Sequence, residues 1–145
     1  MFCYQCEQTI GGKGCAKNIG VCGKTAETAE LQDLLIEAVK GIAMYAYRAG
    51  QLGYADRSVD RFVVEALFST VTNVNFDPVR LEALIAKAGQ TLAAAKALYL
   101  DACRKKNIQP QPLSGPALWQ VPANRTQMLQ QAATVSIAKR LDAQG

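Results

Sequence analysis

TAETAELQDLLIEAVKGIAMYAYRA, residues 25–49, decides the fold class. Within it Leu31, Leu34, Leu35, Ala38, Val39, Ile42, Ala46 and Ala49 recur at spacings of three and four, which lays them along one face of a long helix. Thr25 or Thr28 suits the N-cap, where a hydroxyl accepts from a free N–H of the first turn, and Glu27 or Glu30 faces the positive end of the helix dipole. Gly50 and Gly53 are the expected stop.

Towards the C-terminus the same period returns. A second helix is predicted from Ser58, helped by Asp60, with Val59, Phe62, Val63, Ala66, Leu67 and Val71 facing inward. Asn73 to Phe76 then forms a turn. Asp77-Pro78 is a helix start, because Asp caps and Pro needs no N–H donor at the first position. This third helix is predicted to run to about Lys105, with Leu81, Leu84, Ile85, Ala88, Leu92, Ala95, Leu98 and Tyr99 as its stripe. Arg104, Lys105 and Lys106 sit at its end, where cations complement the dipole. Pro110, Pro112, Pro116 and Pro122 make residues 107–123 extended, with Leu113, Leu118 and Trp119 expected to pack on the helices. A last helix is predicted over Thr126 to Ala138 or slightly further. No alternating strand pattern occurs, so the class is all-α: an N-terminal Cys-rich loop (1–24), a three-helix bundle (25–106), and a Pro-rich strap with a C-terminal helix (107–145), in one compact unit.

Composition supports a packed core. The chain has 145 residues, half of them hydrophobic and 19% charged, and that length buries roughly 70% of the unfolded surface. The net charge of +4 comes without a long basic run or aromatic–basic interleaving, which argues against a nucleic-acid partner. Charges interrupt every apolar stretch, so no membrane span is expected. The opening MFCYQC lacks the features of a signal peptide. A cytoplasmic, reducing compartment is the resulting expectation, and five cysteines there point to metal before disulfides.

Four of those cysteines, Cys3, Cys6, Cys15 and Cys22, are spaced C-x2-C-x8-C-x6-C among glycines. A cuboidal iron–sulfur cluster needs four thiolates in a small volume, and Cys-x2-Cys supplies two from one turn. Backbone N–H groups, Lys13, Lys17, Lys24 and the start of the first helix would offset the negative charge of such a centre. Structural zinc is the rival. Zinc ribbons favour two short knuckles, and Cys15-x6-Cys22 is too open for a standard second one. Spacing therefore favours iron–sulfur over zinc, and either over disulfides or free thiols. Cys103, near the end of the third helix, is expected to be a buried inert thiol. Tyr45, Tyr47, Tyr54 and Tyr99 read as core or rim aromatics. Gly12-Lys13-Gly14 follows no strand and opens no nucleotide-binding pattern. The chain has no histidine, and its carboxylates form no convincing acid–base pair, so no catalytic residue is assigned.

The segments MFCYQCEQT, CGKTAETAELQDLL and DRFVVEALFSTVTNVNFD resemble the N-terminal region of the hybrid-cluster (prismane) proteins, or hydroxylamine reductases. The resemblance covers nearly the whole chain. It implies that Cys3, Cys6, Cys15 and Cys22 ligate an electron-transfer iron–sulfur cluster. In the family a short gap between the second and third cysteines accompanies a 4Fe–4S cubane and a longer one 2Fe–2S. The x8 gap here is of the cubane type, whereas x6 between Cys15 and Cys22 departs by one residue from the x5 of that type and matches the other. The x8 gap constrains the loop more, so 4Fe–4S is preferred over 2Fe–2S. The resemblance further implies an electron-donor reductase as partner, the remainder of the hybrid-cluster protein as a second, and reduction of hydroxylamine or nitric oxide at a hybrid cluster. The ligands of that cluster are a histidine, glutamates and further cysteines, whereas this chain has no histidine and one cysteine beyond the four. The chain is accordingly expected to be a fragment, non-catalytic alone. The alternative of another class is a non-enzymatic helical interaction domain with a structural zinc loop.

Overall fold

The computed structural model describes residues 1–6, 13–71 and 74–144. Helix α1, Ala26–Gln51, begins where the Thr25 hydroxyl accepts from the Thr28 N–H at 3.2 Å. Gly50 remains helical. The chain leaves the helix at Leu52 and Gly53, whose φ of +87° suits only glycine without strain.

Helix α2, Arg57–Thr70, is capped by Asp56, whose carboxylate accepts from the Ser58 N–H at 2.8 Å, one residue ahead of the expected start. Its inner stripe is Val59, Phe62 and Ala66, continued by Ser69 and Thr70. Those two hydroxyls enter the interior because each donates back to a carbonyl of its own helix at 2.8 Å. Leu67 and Val71, expected inward, are instead 43% and 45% exposed. Leu67 lies about 100° round the helix from Ala66, beyond the narrow strip that touches the bundle, and Val71 is the extended C-cap. Of the expected turn from Asn73 to Phe76, Asn73 lies outside the described residues and 74–76 are non-helical.

Helix α3, Pro78–Lys106, starts as predicted, with Asp77 accepting from the Val79 N–H at 2.9 Å. It ends on Asn107 in the left-handed region (φ +52°), where the Ile108 N–H reaches the Cys103 carbonyl at 2.9 Å. The strap is pinned where the Tyr99 hydroxyl accepts from the Gln111 N–H at 3.0 Å. A single 3-10 turn, Gly115–Leu118, interrupts it. Ala117 fills the contact with the core, Trp119 is half-buried with its indole N–H donating to Gln131 at 2.8 Å, and Leu118 is 63% exposed, contrary to expectation. Consecutive residues of a tight turn cannot all face the core, and here Ala117 takes that position.

The single C-terminal helix expected over 126–138 is two: α4, Arg125–Val135, and α5, Ile137–Gln144. Ser136 is extended between them, its hydroxyl accepting from the Lys139 N–H at 3.3 Å. The Ile137 N–H is taken by the carboxylate of Asp33 on α1, at 3.0 Å. A side chain from a distant helix thus serves the free donor that starts α5.

Helix α1 is the axis of the molecule. It packs most extensively on α3, and α4 lies along it as extensively as α2 does. Leu31, Leu34, Leu35 and Ile42 are fully buried with Phe62, Leu81 and Ile85, and Met128 and Ala132 of α4 join the same core. Arg125 ties three elements together, bonding Glu82 on α3 and Glu27 on α1, the latter at 3.3 Å. Among the described residues, β-pairing is confined to two isolated bridges, Cys3–Cys15 and Ile19–Thr25, and no helix is long and apolar enough to cross a membrane.

Candidate metal centre

The two isolated bridges organise the N-terminal segment. Cys3 and Cys15 exchange both backbone hydrogen bonds, at 3.0 and 2.8 Å, so the first and third thiols stand on directly paired residues. Gly14 makes this pairing possible: its φ is +91°, and a Cβ there would lie 2.7 Å from the Phe2 ring. The second bridge closes residues 19–25 onto the start of α1. Inside it the Gly20 N–H donates to the Lys24 carbonyl at 2.8 Å and the Gly23 N–H to the Gly20 carbonyl at 2.9 Å. Cys22 sits in that turn, its Sγ 3.6 Å from where a Cβ on Gly20 would be. All five cysteines are free thiols; Cys15 and Cys103 are buried, and Cys3, Cys6 and Cys22 are half-buried. Cys103 belongs to the bundle core, as expected of it.

Among the described residues, no three Cys, Asp or Glu side chains are grouped closely enough to hold a metal ion. What the structure does bring to Cys3 is a cation. Lys24 is only 1% exposed, and its ammonium donates to Gln32 Oε1 at 2.7 Å, to Gln5 Oε1 at 3.1 Å and to Cys3 Sγ at 3.8 Å. The Phe76 ring lies 5.9 Å away. Gln32 is itself buried on α1, held by its Nε2 donating to the Asn75 carbonyl at 3.0 Å. Lys13 and Lys17, credited equally from sequence, are exposed.

Next to Gln32 on α1, Asp33 is buried as well. Burial pushes its carboxyl above the usual range, against the pull of the Ile137 N–H, Arg140 and Lys24, while Glu30 pushes the same way as burial. Sequence reasoning assigned nothing to Gln32, Asp33 or Asn75. The one signal was two consecutive polar residues, Gln32 and Asp33, within an otherwise apolar helical run.

Four free thiols and no imidazole form a soft donor set, suited to zinc or an iron–sulfur cluster. A buried ammonium beside one of the sulfurs complements the negative charge that four thiolates bring to such a group. On both counts the residues present fit an anionic, thiolate-ligated centre.

The chain matches the Prismane/CO dehydrogenase family over residues 1–144. It belongs to that family. The prismane-family chain is 52% identical over its whole length to a hydroxylamine reductase of Rhodospirillum rubrum, of which it covers 26%. It is 48% identical to one of Acidithiobacillus ferrooxidans over 94% of its length, covering 25% of that protein. A third, from Burkholderia ambifaria, is 47% identical across the whole chain, which covers 27% of it. This prismane-family chain therefore spans about a quarter of the length of these curated relatives, and the resemblance carried by its cysteine-flanking segments is borne out.

Proposed function

We propose that this chain is the electron-transfer, iron–sulfur portion of a hydroxylamine reductase-like oxidoreductase, with Cys3, Cys6, Cys15 and Cys22 as the cluster ligands. The observation that carries this reading is the set of four free thiols within 22 residues, in a chain whose relatives are hydroxylamine reductases along its full length. When bound, the cluster supplies one-electron uptake and release. The Cys3–Cys15 bridge would hold two ligand residues side by side, and the turn over 20–24 would present Cys22. By the family resemblance, the x8 gap favours 4Fe–4S over 2Fe–2S.

Without a histidine, this chain cannot by itself supply the ligands of a hybrid cluster. Reduction of hydroxylamine or nitric oxide would then depend on the remainder of the hybrid-cluster protein, and the electron would come from a soluble reductase in the cytoplasm. Anaerobic purification with iron, zinc and sulfide analysis tests the reading. The expected outcome is a brown protein with acid-labile sulfide and about four irons per chain. One colourless zinc per chain would overturn it in favour of a structural loop. The chain alone, given dithionite and hydroxylamine, should show no turnover.

A further inference from the structure

Lysine is among the residues least often buried without a partner, yet Lys24 is 1% exposed. Its ammonium has three N–H donors, and the structure gives three acceptors: Gln32 Oε1 at 2.7 Å, Gln5 Oε1 at 3.1 Å and Cys3 Sγ at 3.8 Å. The two amides solvate the charge without neutralising it. Among the described residues no carboxylate lies within ion-pair distance of Nζ, and Cys3 is the one acceptor of the three that can carry a negative charge. The ammonium is also aimed. Gln32 Nε2 is committed to the Asn75 carbonyl at 3.0 Å, which turns Oε1 towards Lys24 and fixes Nζ beside the sulfur.

We propose that Lys24 is a positioning residue that sets the reduction potential of the centre through the Cys3 sulfur. The inference rests on the reading that these thiols hold an iron–sulfur cluster. One electron taken from an external donor, with no bond made or broken, leaves such a centre one unit more negative. A fixed cation and an N–H···S hydrogen bond at a ligand sulfur favour that more negative state, and the low dielectric of a buried site strengthens the effect. Lys24 therefore raises the potential. Lys13 and Lys17, exposed to solvent, contribute little because water and salt screen them.

The test is an anaerobic redox titration of the iron- and sulfide-loaded chain, with dithionite as reductant and the visible spectrum as readout. Lys24→Met keeps the buried stem but removes the charge and the donors. It should retain the iron and sulfide content and lower the one-electron reduction equilibrium at least tenfold, about 59 mV in midpoint. Gln32→Glu sets a carboxylate against the ammonium and should shift the midpoint the same way, so it carries the test if Lys24→Met fails to load. Lys17→Met should leave the midpoint unchanged. Loaded variants at the wild-type midpoint would overturn the inference, as would an equal shift in Lys17→Met. Failure of both Lys24→Met and Gln32→Glu to load would also overturn it, leaving the pair with a structural role alone. A wild-type chain that takes up no iron and sulfide would instead refute the cluster reading, an outcome distinct from any change in potential.

Discussion

Asp33 couples the stability of the molecule to pH. Its carboxyl titrates above the ordinary 3.8, chiefly through burial. The folded state therefore binds this proton more tightly than the unfolded chain does. The group's stabilising contribution is full below the unfolded value and is lost as pH rises through the folded one. Asp33→Asn retains an oxygen for the Ile137 N–H and has no carboxyl to titrate. Urea denaturation of both proteins from about pH 4 to pH 7 should show Asp33→Asn gaining on the wild type as pH rises. Parallel profiles would remove Asp33 as the cause. Its role was not legible in the sequence because its hydrogen-bond partner is 104 positions away. The Asp77 cap was legible, and the α1 cap was narrowed to Thr25 or Thr28, since each capping side chain serves an N–H within three residues.

Helix α1 meets the strap at Gly41, and the contact is closer than any side chain allows. A Cβ at this position would lie 2.1 Å from the Pro116 carbonyl oxygen. Gly41→Ala should displace the 3-10 turn and destabilise the fold by about 1–3 kcal/mol, the usual range for overpacking. The helix propensity of alanine offsets up to about 1 kcal/mol of that. Urea unfolding followed by Trp119 fluorescence reads both effects; a variant as stable as the wild type, with an unchanged spectrum, would contradict the close approach. The number and order of the first three helices followed from periodicity and caps. The break at Ser136 did not, because Asp33 supplies the start of α5 from another helix. Nor did the exposure of Leu67 and Val71: a 3.6-residue period identifies an apolar face but not how wide a strip its neighbours cover.

Across the whole molecule the apolar core and the thiol segment are held by different means. The core is built from α1, α2, α3, α4 and the strap. The described part of the N-terminal segment relies on two isolated bridges and the Lys24 contacts. Order at residues 1–24 should therefore depend on the bound centre, while the bundle should not. Cys6→Ala is expected to abolish iron and sulfide binding and to increase amide exchange in that segment. The far-ultraviolet helical signal should remain largely intact. Collapse of that signal on metal removal would mean that the centre holds the bundle together.

The sequence by itself determined the all-α class, the cap of α3, a choice of Thr25 or Thr28 for the cap of α1, and four candidate ligands with a family resemblance around them. Each depends on residues close together along the chain: a helical period, a cap within one turn, cysteines within 22 positions. Only the tertiary structure decided which of three lysines reaches a sulfur, which carboxylate starts α5, and which leucines stay in solvent. Lys24 is distinguished by meeting Cys3 from 21 positions away and Gln32 from 8, with Gln32 in turn anchored 43 positions further along. Burial and partnership of this kind exist only once separate helices and loops have packed against one another.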